Sequence, residues 1–250
     1  MAPLRVLLLS TISALAAAAS ECRCGDAAFL GIPRVNLTAP EQLKPCAPYK
    51  LVDARGSGEP QGVSLMFQVA IERILANGTG AVSQSVAYPA GFDQNVTSGV
   101  QNTVDIIKYG LDDCPDQKFF LLGYSQGATV VLEALEKMEQ ASLAAVSGVV
   151  FVGNPYRIPG RRSNVDSQGR PDNRTAFGLF ATHAMQANQS IPTYNEEFDQ
   201  SGKVIDTCLE NDIVCAADPD CTCQLASDHM SYGLMQPVQD LIVSHILDRM

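Results

Sequence analysis

The chain of 250 residues contains no tryptophan and only three histidines. Tryptophan stacking is a common device of carbohydrate-binding surfaces, so its absence weighs slightly against a glycan-binding module. Basic residues are scarce too: 17 Lys and Arg stand against 27 Asp and Glu, and the one basic cluster is Arg161–Arg162 in "PGRRSN". A nucleic-acid binder needs a basic stripe, so no nucleic-acid partner is expected. Only one long apolar run exists, "VLLLSTISALAAAA" behind Arg5, followed by the small residues Ala17, Ala19 and Ser20. It is too short for a membrane anchor and reads as a secretory signal over residues 1–20. No integral membrane association is expected. Without Arg5 the formal charge is −11, from 16 basic and 27 acidic residues.

What is present fits export. All eight cysteines follow the signal, and an even count in an exported chain suggests disulfides. Five N-glycosylation sequons begin at Asn36, Asn77, Asn95, Asn173 and Asn188; each permits a glycan on a surface loop. The expected localisation is extracellular.

Residues 21–250 read as one domain. Five short apolar runs look like strands: "YKLVDA", "SQSVAY", "KFFLLG", "GVVFVG" and "KVIDTC". Most are unbroken rather than alternating, as in strands covered on both faces. Apolar residues recur at helical spacing over 95–111, 126–140 and 238–246. Strands alternating with helices imply a parallel sheet between helical layers, with the ligand site beyond the carboxyl ends of the strands. Residues 154–201 break the rhythm with Asn, Gln, Arg, Pro and Gly; an irregular excursion of that length is usually functional or flexible.

The segment "KFFLLGYSQGATVVL" runs a strand into Gly-Tyr-Ser-Gln-Gly and then into a helix. That context makes Ser125 the candidate nucleophile of a strand–turn–helix elbow, with Gly123 and Gly127 expected to let the backbone turn sharply. The helix N-terminus behind it favours developing negative charge. Such a serine needs a base. His183 lies in the excursion and His245 in an apolar helical stripe, which leaves His229 in "LASDHMSYG", after the last strand. For the acid that orients the imidazole, Asp206 lies within a strand and Asp228 adjoins His229. Asp218 and Asp220 fall in the turn-like "ADPDC". Asp212, in "CLENDIVC" beyond the last strand, is the choice.

Five segments in order, "ARGSGEPQG", "GYSQGA", "VGNP", "CLENDIVC" and "DHMSYG", resemble the fungal cutinase family, with a look most like the cutinase-like polyesterases of basidiomycetes. The resemblance covers about residues 46–250. It implies a small α/β hydrolase, a three-layer sandwich around a central five-stranded parallel sheet, that cleaves carboxylic esters without metal or organic cofactor. It implies an oxyanion hole from Ser57 and Gln126, and disulfides Cys46–Cys114 and Cys208–Cys215. Cys22, Cys24, Cys221 and Cys223 depart from the family pattern. Cysteines one residue apart rarely bridge each other, so cross-pairing between the two pairs is expected, with a four-thiolate zinc site as rival. Arg55 and Glu59 are expected to form a structural ion pair.

The substrate is read less sharply. Leu225, Ala226, Met230 and the "YPAGF" segment at Tyr88–Phe92 are candidates for an apolar acyl groove. The expected partners are an insoluble aliphatic polyester such as cutin, or small esters, and the expected state is a monomer. Acetylated xylan is the alternative substrate, and a non-catalytic exported surface glycoprotein the alternative of another kind.

Overall fold

The computed structural model describes residues 46–217 and 226–250. The signal segment, Asn36, Cys22, Cys24, Asp218, Asp220, Cys221, Cys223 and Leu225 lie outside them. The elements run β1 (Tyr49–Ala54), α1 (Gln68–Ala76), β2 (Val82–Ser85), α2 (Thr97–Asp113), β3 (Lys118–Tyr124), α3 (Gln126–Lys137), α4 (Gln140–Ala145) and β4 (Val146–Val152). Then follow β5 (Asn164–Val165), α5 (Leu179–Gln186), α6 (Glu196–Gln200), β6 (Val204–Thr207), α7 (Ala226–His229), a 3-10 turn (Tyr232–Leu234) and α8 (Gln236–Leu247).

The unbroken apolar strands divide their side chains between two cores. In β3, Phe119 and Leu121 point to one face, where Ile106 and Ile107 of α2 and Val130, Val131 and Leu135 of α3 pack. Phe120 and Leu122 point to the other, against Ile71 and Ile74 of α1 and Val238, Ile242 and Ile246 of α8. Period-two alternation therefore serves two helical layers at once. Each such side chain taken out of water stabilises the fold by about 1.5–3 kcal/mol. This is an α/β three-layer arrangement, as the strand and helix patterns imply.

The sheet order is β2-β1-β3-β4-β6-β5, and every strand pair is parallel. Among the described residues the sheet has six strands where five are expected. The extra one, β5, is a two-residue strand inside the excursion, paired with Asp206 and Thr207 of β6. Its buried Asn164 carries no apolar signal. The expected second strand is also shorter: pairing stops at Ser85, after which Val86 N–H donates one further bond to Asp53 O.

Register sets the site. Ala54 pairs with Gly123, Tyr124 with Val152, and Val152 with Thr207, so four strands end at one edge. The chain leaves β1 in one direction for β2 and later places β3 on its other side. The crevice beyond β1 and β3 is the switch point at which α/β folds bind ligands. Among the described residues, no helix is long and apolar enough to cross a membrane.

Candidate active site

Ser125 stands at that switch point, between the last residue of β3 and the first of α3. Its backbone takes φ 52° and ψ −119°, a region that costs a non-glycine residue on the order of 1–3 kcal/mol. The flanking glycines do something other than bend the chain, since neither has a positive φ. A Cβ on Gly123 would lie 2.6 Å from Gly127 O, and one on Gly127 would lie 1.9 Å from Ala54 O. They let α3 press against the ends of β3 and β1, while the serine itself takes the turn.

His229 and Asp212 reach Ser125 from two other segments. His229 Nε2 is 2.8 Å from Ser125 Oγ, and His229 Nδ1 is 2.8 Å from Asp212 Oδ2. Asp212 is fully buried and His229 only 9% exposed. Asp212 Oδ1 accepts from Val214 N–H at 2.7 Å, and Oδ2 also accepts from the Tyr232 hydroxyl at 2.5 Å. The Cys208–Cys215 disulfide closes the loop that carries Asp212, and Cys46–Cys114 ties the start of the described chain to the end of α2. The other histidines lie elsewhere: His183 is exposed on α5, and His245 is buried on α8 with its Nε2 3.0 Å from Lys203 O.

The loop after β1 starts against α3, where a Cβ on Gly127 would lie 2.7 Å from Arg55 O. Ser57 is half-buried, and its Oγ accepts from Gln94 Nε2 at 2.9 Å. Gln126, the first residue of α3, is buried and donates its Nε2 to Gly91 O at 2.8 Å. Gly58 N–H donates to Ala90 O at 2.8 Å. Segment 88–94 thus braces both Ser57 and Gln126. Gln94 was not legible in the sequence: it acts 37 residues from Ser57, out of a loop with positive φ at Ala90 and Gln94.

The expected Arg55–Glu59 side-chain ion pair is replaced by separate roles. Arg55 donates to Glu59 O at 2.8 Å, Gln61 Oε1 at 3.0 Å and Tyr88 O at 2.5 Å. The Glu59 carboxylate accepts from Gly56 N–H at 2.6 Å, Leu65 N–H at 2.8 Å and the Ser64 hydroxyl. Burial pushes the Glu59 carboxyl up, and these bonds oppose it. Tyr88 is buried and its hydroxyl bonds Arg55 O, so it braces the loop rather than lining a groove. Phe92 is 82% exposed, lying over Gly58, and Met230, next to His229, is 50% exposed.

Tyr124 contributes from within the elbow. Its ring stacks on the His229 imidazole at 5.1 Å, and its hydroxyl donates to His229 O at 2.9 Å. Burial pushes its phenol well above the ordinary value. Gly153, after β4, is required by proximity: a Cβ there would sit 2.7 Å from His229 Cε1 and 3.2 Å from Asp212 Oδ2.

The excursion supports the acid loop. Arg174 donates to Cys208 O at 2.8 Å, Leu209 O at 3.0 Å and Glu210 O at 3.1 Å. It is paired with Asp172 at 2.5 Å, which also pairs with the fully buried Arg157 at 2.6 Å. Burial pushes the Asp172 carboxyl up, but the bonds from Arg174 and the charge of Arg157 outweigh it and hold it down at about 2. Asp206 faces this network: it accepts from Asn154 Nδ2 at 2.8 Å, and burial raises its carboxyl to about 6.

A Cutinase family model matches residues 45–246. A cutinase of Hypocrea jecorina is 34% identical over 119 residues, covering 45% of this chain and 48% of the relative, and one of Trichoderma harzianum is 35% identical over 118 residues, covering 44% and 47%. The chain thus spans about half the length of these curated relatives. A cutinase-like protein from Cryptococcus sp. superposes with TM-score 0.70 and 31% identity, over 82% of this chain and 96% of the other. The catalytic core of an acetyl xylan esterase from Trichoderma reesei shares the fold, with TM-score 0.64 at 22% identity over 82% and 100% of the two chains. With the matched model extending from the start of the described residues into α8, the chain belongs to the cutinase family.

Proposed function

We propose that this protein is a secreted serine ester hydrolase acting on aliphatic polyesters of the cutin type and on short- to medium-chain esters. The observation that carries the reading is the unbroken chain of hydrogen bonds, 2.8 Å and 2.8 Å, from Ser125 through His229 to Asp212. Ser125 Oγ attacks the ester carbonyl carbon while His229 Nε2 takes its proton. The backbone N–H groups of Ser57 and Gln126 receive the developing oxyanion. The Ser57 hydroxyl, accepting from Gln94, has its own proton left to donate there. The tetrahedral intermediate collapses, and the alcohol departs with the proton from His229. Water, activated by the same imidazole, then attacks the acyl-enzyme and releases the acid. Asp212, 2.8 Å from His229 Nδ1, holds the imidazole tautomer. These steps need no metal or organic cofactor.

The polyester preference is supported by two exposed apolar side chains, Phe92 over Gly58 and Met230 next to His229 in the chain. Export is supported by the N-terminal sequence pattern, the two disulfides, and the exposure of Asn77, Asn95, Asn173 and Asn188. The test compares rates on a soluble butyrate ester, a polyester film and acetylated xylan. Hydrolysis of the first two in preference to xylan is expected. Preference for xylan would move the substrate to acetylated polysaccharide, and inactivity on all three would favour a non-catalytic surface glycoprotein.

A further inference from the structure

The steps above assign no part to Tyr232, three residues beyond His229. Its side chain is completely buried, edge-on to the His229 ring at 6.4 Å and 90°. Its hydroxyl lies 2.5 Å from Asp212 Oδ2, the same oxygen that receives His229 Nδ1 at 2.8 Å. Donor accounting fixes the direction of that bond. Leu209 N–H donates to the phenol oxygen at 3.1 Å. The disulfide sulfur of Cys215, 3.3 Å away, has no proton to give. The single phenolic proton therefore goes to the carboxylate. Burial and the charge of Asp212 push the phenol well above its ordinary value, so it remains a donor.

We propose that Tyr232 is a positioning residue that acts through Asp212, fixing the carboxylate plane and sharing its negative charge with the imidazole. The inference rests on the esterase reading. An oxygen with two donors gives less of its charge to either. Tyr232 thereby takes part of the charge that Asp212 Oδ2 would otherwise direct at the imidazole N–H. The other titratable groups around this cluster are Tyr124 of β3, Glu59 of the loop after β1, Arg174 of the excursion, Glu210 of the acid loop and Asp228 of α7. Arg174 and Tyr124 interact with the phenol through space, whereas Asp212 Oδ2 receives its proton directly, so the part of a changed pH response that disappears in the Asp212→Asn background reports on the shared oxygen. If the hydroxyl serves only to anchor Leu209, its removal lowers stability and leaves the pH response where it was.

The experiment measures kcat/KM against pH on a soluble butyrate ester for the wild type, Tyr232→Phe, Asp212→Asn and the double variant. In Tyr232→Phe the acidic limb is expected to move to higher pH by about half a unit or more and the plateau to fall roughly tenfold. In the Asp212→Asn background the same substitution is expected to change neither. An unmoved limb, or an equal fall in both backgrounds, overturns the inference. Proton NMR on the wild type needs neither turnover nor a folded variant. A downfield hydroxyl resonance whose shift follows His229 protonation is expected, and its absence overturns the inference even in an active esterase. Its presence in a protein that hydrolyses no ester would uphold the hydrogen bond to Asp212 and remove the esterase reading instead.

Discussion

Replacing Gly153 with alanine is expected to disable the site while sparing most of the fold. The added methyl would lie 2.7 Å from His229 Cε1, 2.9 Å from Nδ1 and 3.2 Å from Asp212 Oδ2. Carbon contacts are favourable near about 3.5 Å, so the imidazole must retreat by roughly 0.8 Å. A displacement on that scale costs about 10²-fold in rate when it separates reacting groups. Two further terms act on stability. Gly153 has φ +60°, where a side chain costs about 1–2 kcal/mol, and overpacking adds about 1–3 kcal/mol. Gly160 separates the effects, because its φ is +78° yet a Cβ there meets nothing within 4 Å. Gly160→Ala is expected to lose only the backbone part and to keep full kcat/KM. The assay is initial-rate hydrolysis of a soluble butyrate ester beside thermal unfolding of both variants. Full activity in a folded Gly153→Ala would refute the placement of His229 over that glycine.

Gln94→Ala removes the donor to the Ser57 hydroxyl. It is expected to lower kcat more than it raises KM, by less than the roughly 10²–10³-fold loss of a direct oxyanion donor, as steady-state kinetics would show. Replacing Cys208 and Cys215 with serine opens a loop of sequence separation 7. Chemical denaturation should show a loss of about 2.5 kcal/mol by loop-closure entropy, with activity falling as the Asp212 loop loosens. Asp53, fully buried on β1, is pushed up to about 7 by burial. Its contribution to stability is present below its ordinary value of 3.8 and lost as pH rises through 7. Unfolding free energies from pH 4 to 8 should therefore show Asp53→Asn gaining on the wild type toward the alkaline end. His245, pulled down to about 4 by burial, works oppositely and withdraws stability as pH falls from 6.5 through 4.

The parts of the fold legible in the sequence are those where one physical rule dominates. β3 and β4 show through the apolar runs at 119–122 and 149–152 because both faces are covered, and α2, α3 and α8 announce themselves by period. β5 is not legible: its two residues join the sheet because β6 offers an edge, a tertiary cause without a local trace. α1, α4, α5, α6 and α7 are too short to carry a clear helical period. The excursion reads as irregular because its order comes from ion pairs and carbonyl bonds through Arg157, Asp172 and Arg174, which leave no periodicity. Within the site, Ser125, His229 and Asp212 stand out through their positions after strands and the scarcity of histidine. Gln94 and Gly153 matter through distances that only the folded chain defines. The glycines of the elbow are legible as a motif, but their physical role is close packing, with Ser125 itself taking the strained turn.

The central claim is that Ser125 is a nucleophile activated by His229. Exposure to an alkyl phosphonate followed by peptide mass spectrometry tests it most directly. One adduct on Ser125 is expected, abolished by His229→Ala. An unlabelled Ser125 in folded wild-type protein, or labelling that persists unchanged without His229, would contradict the account.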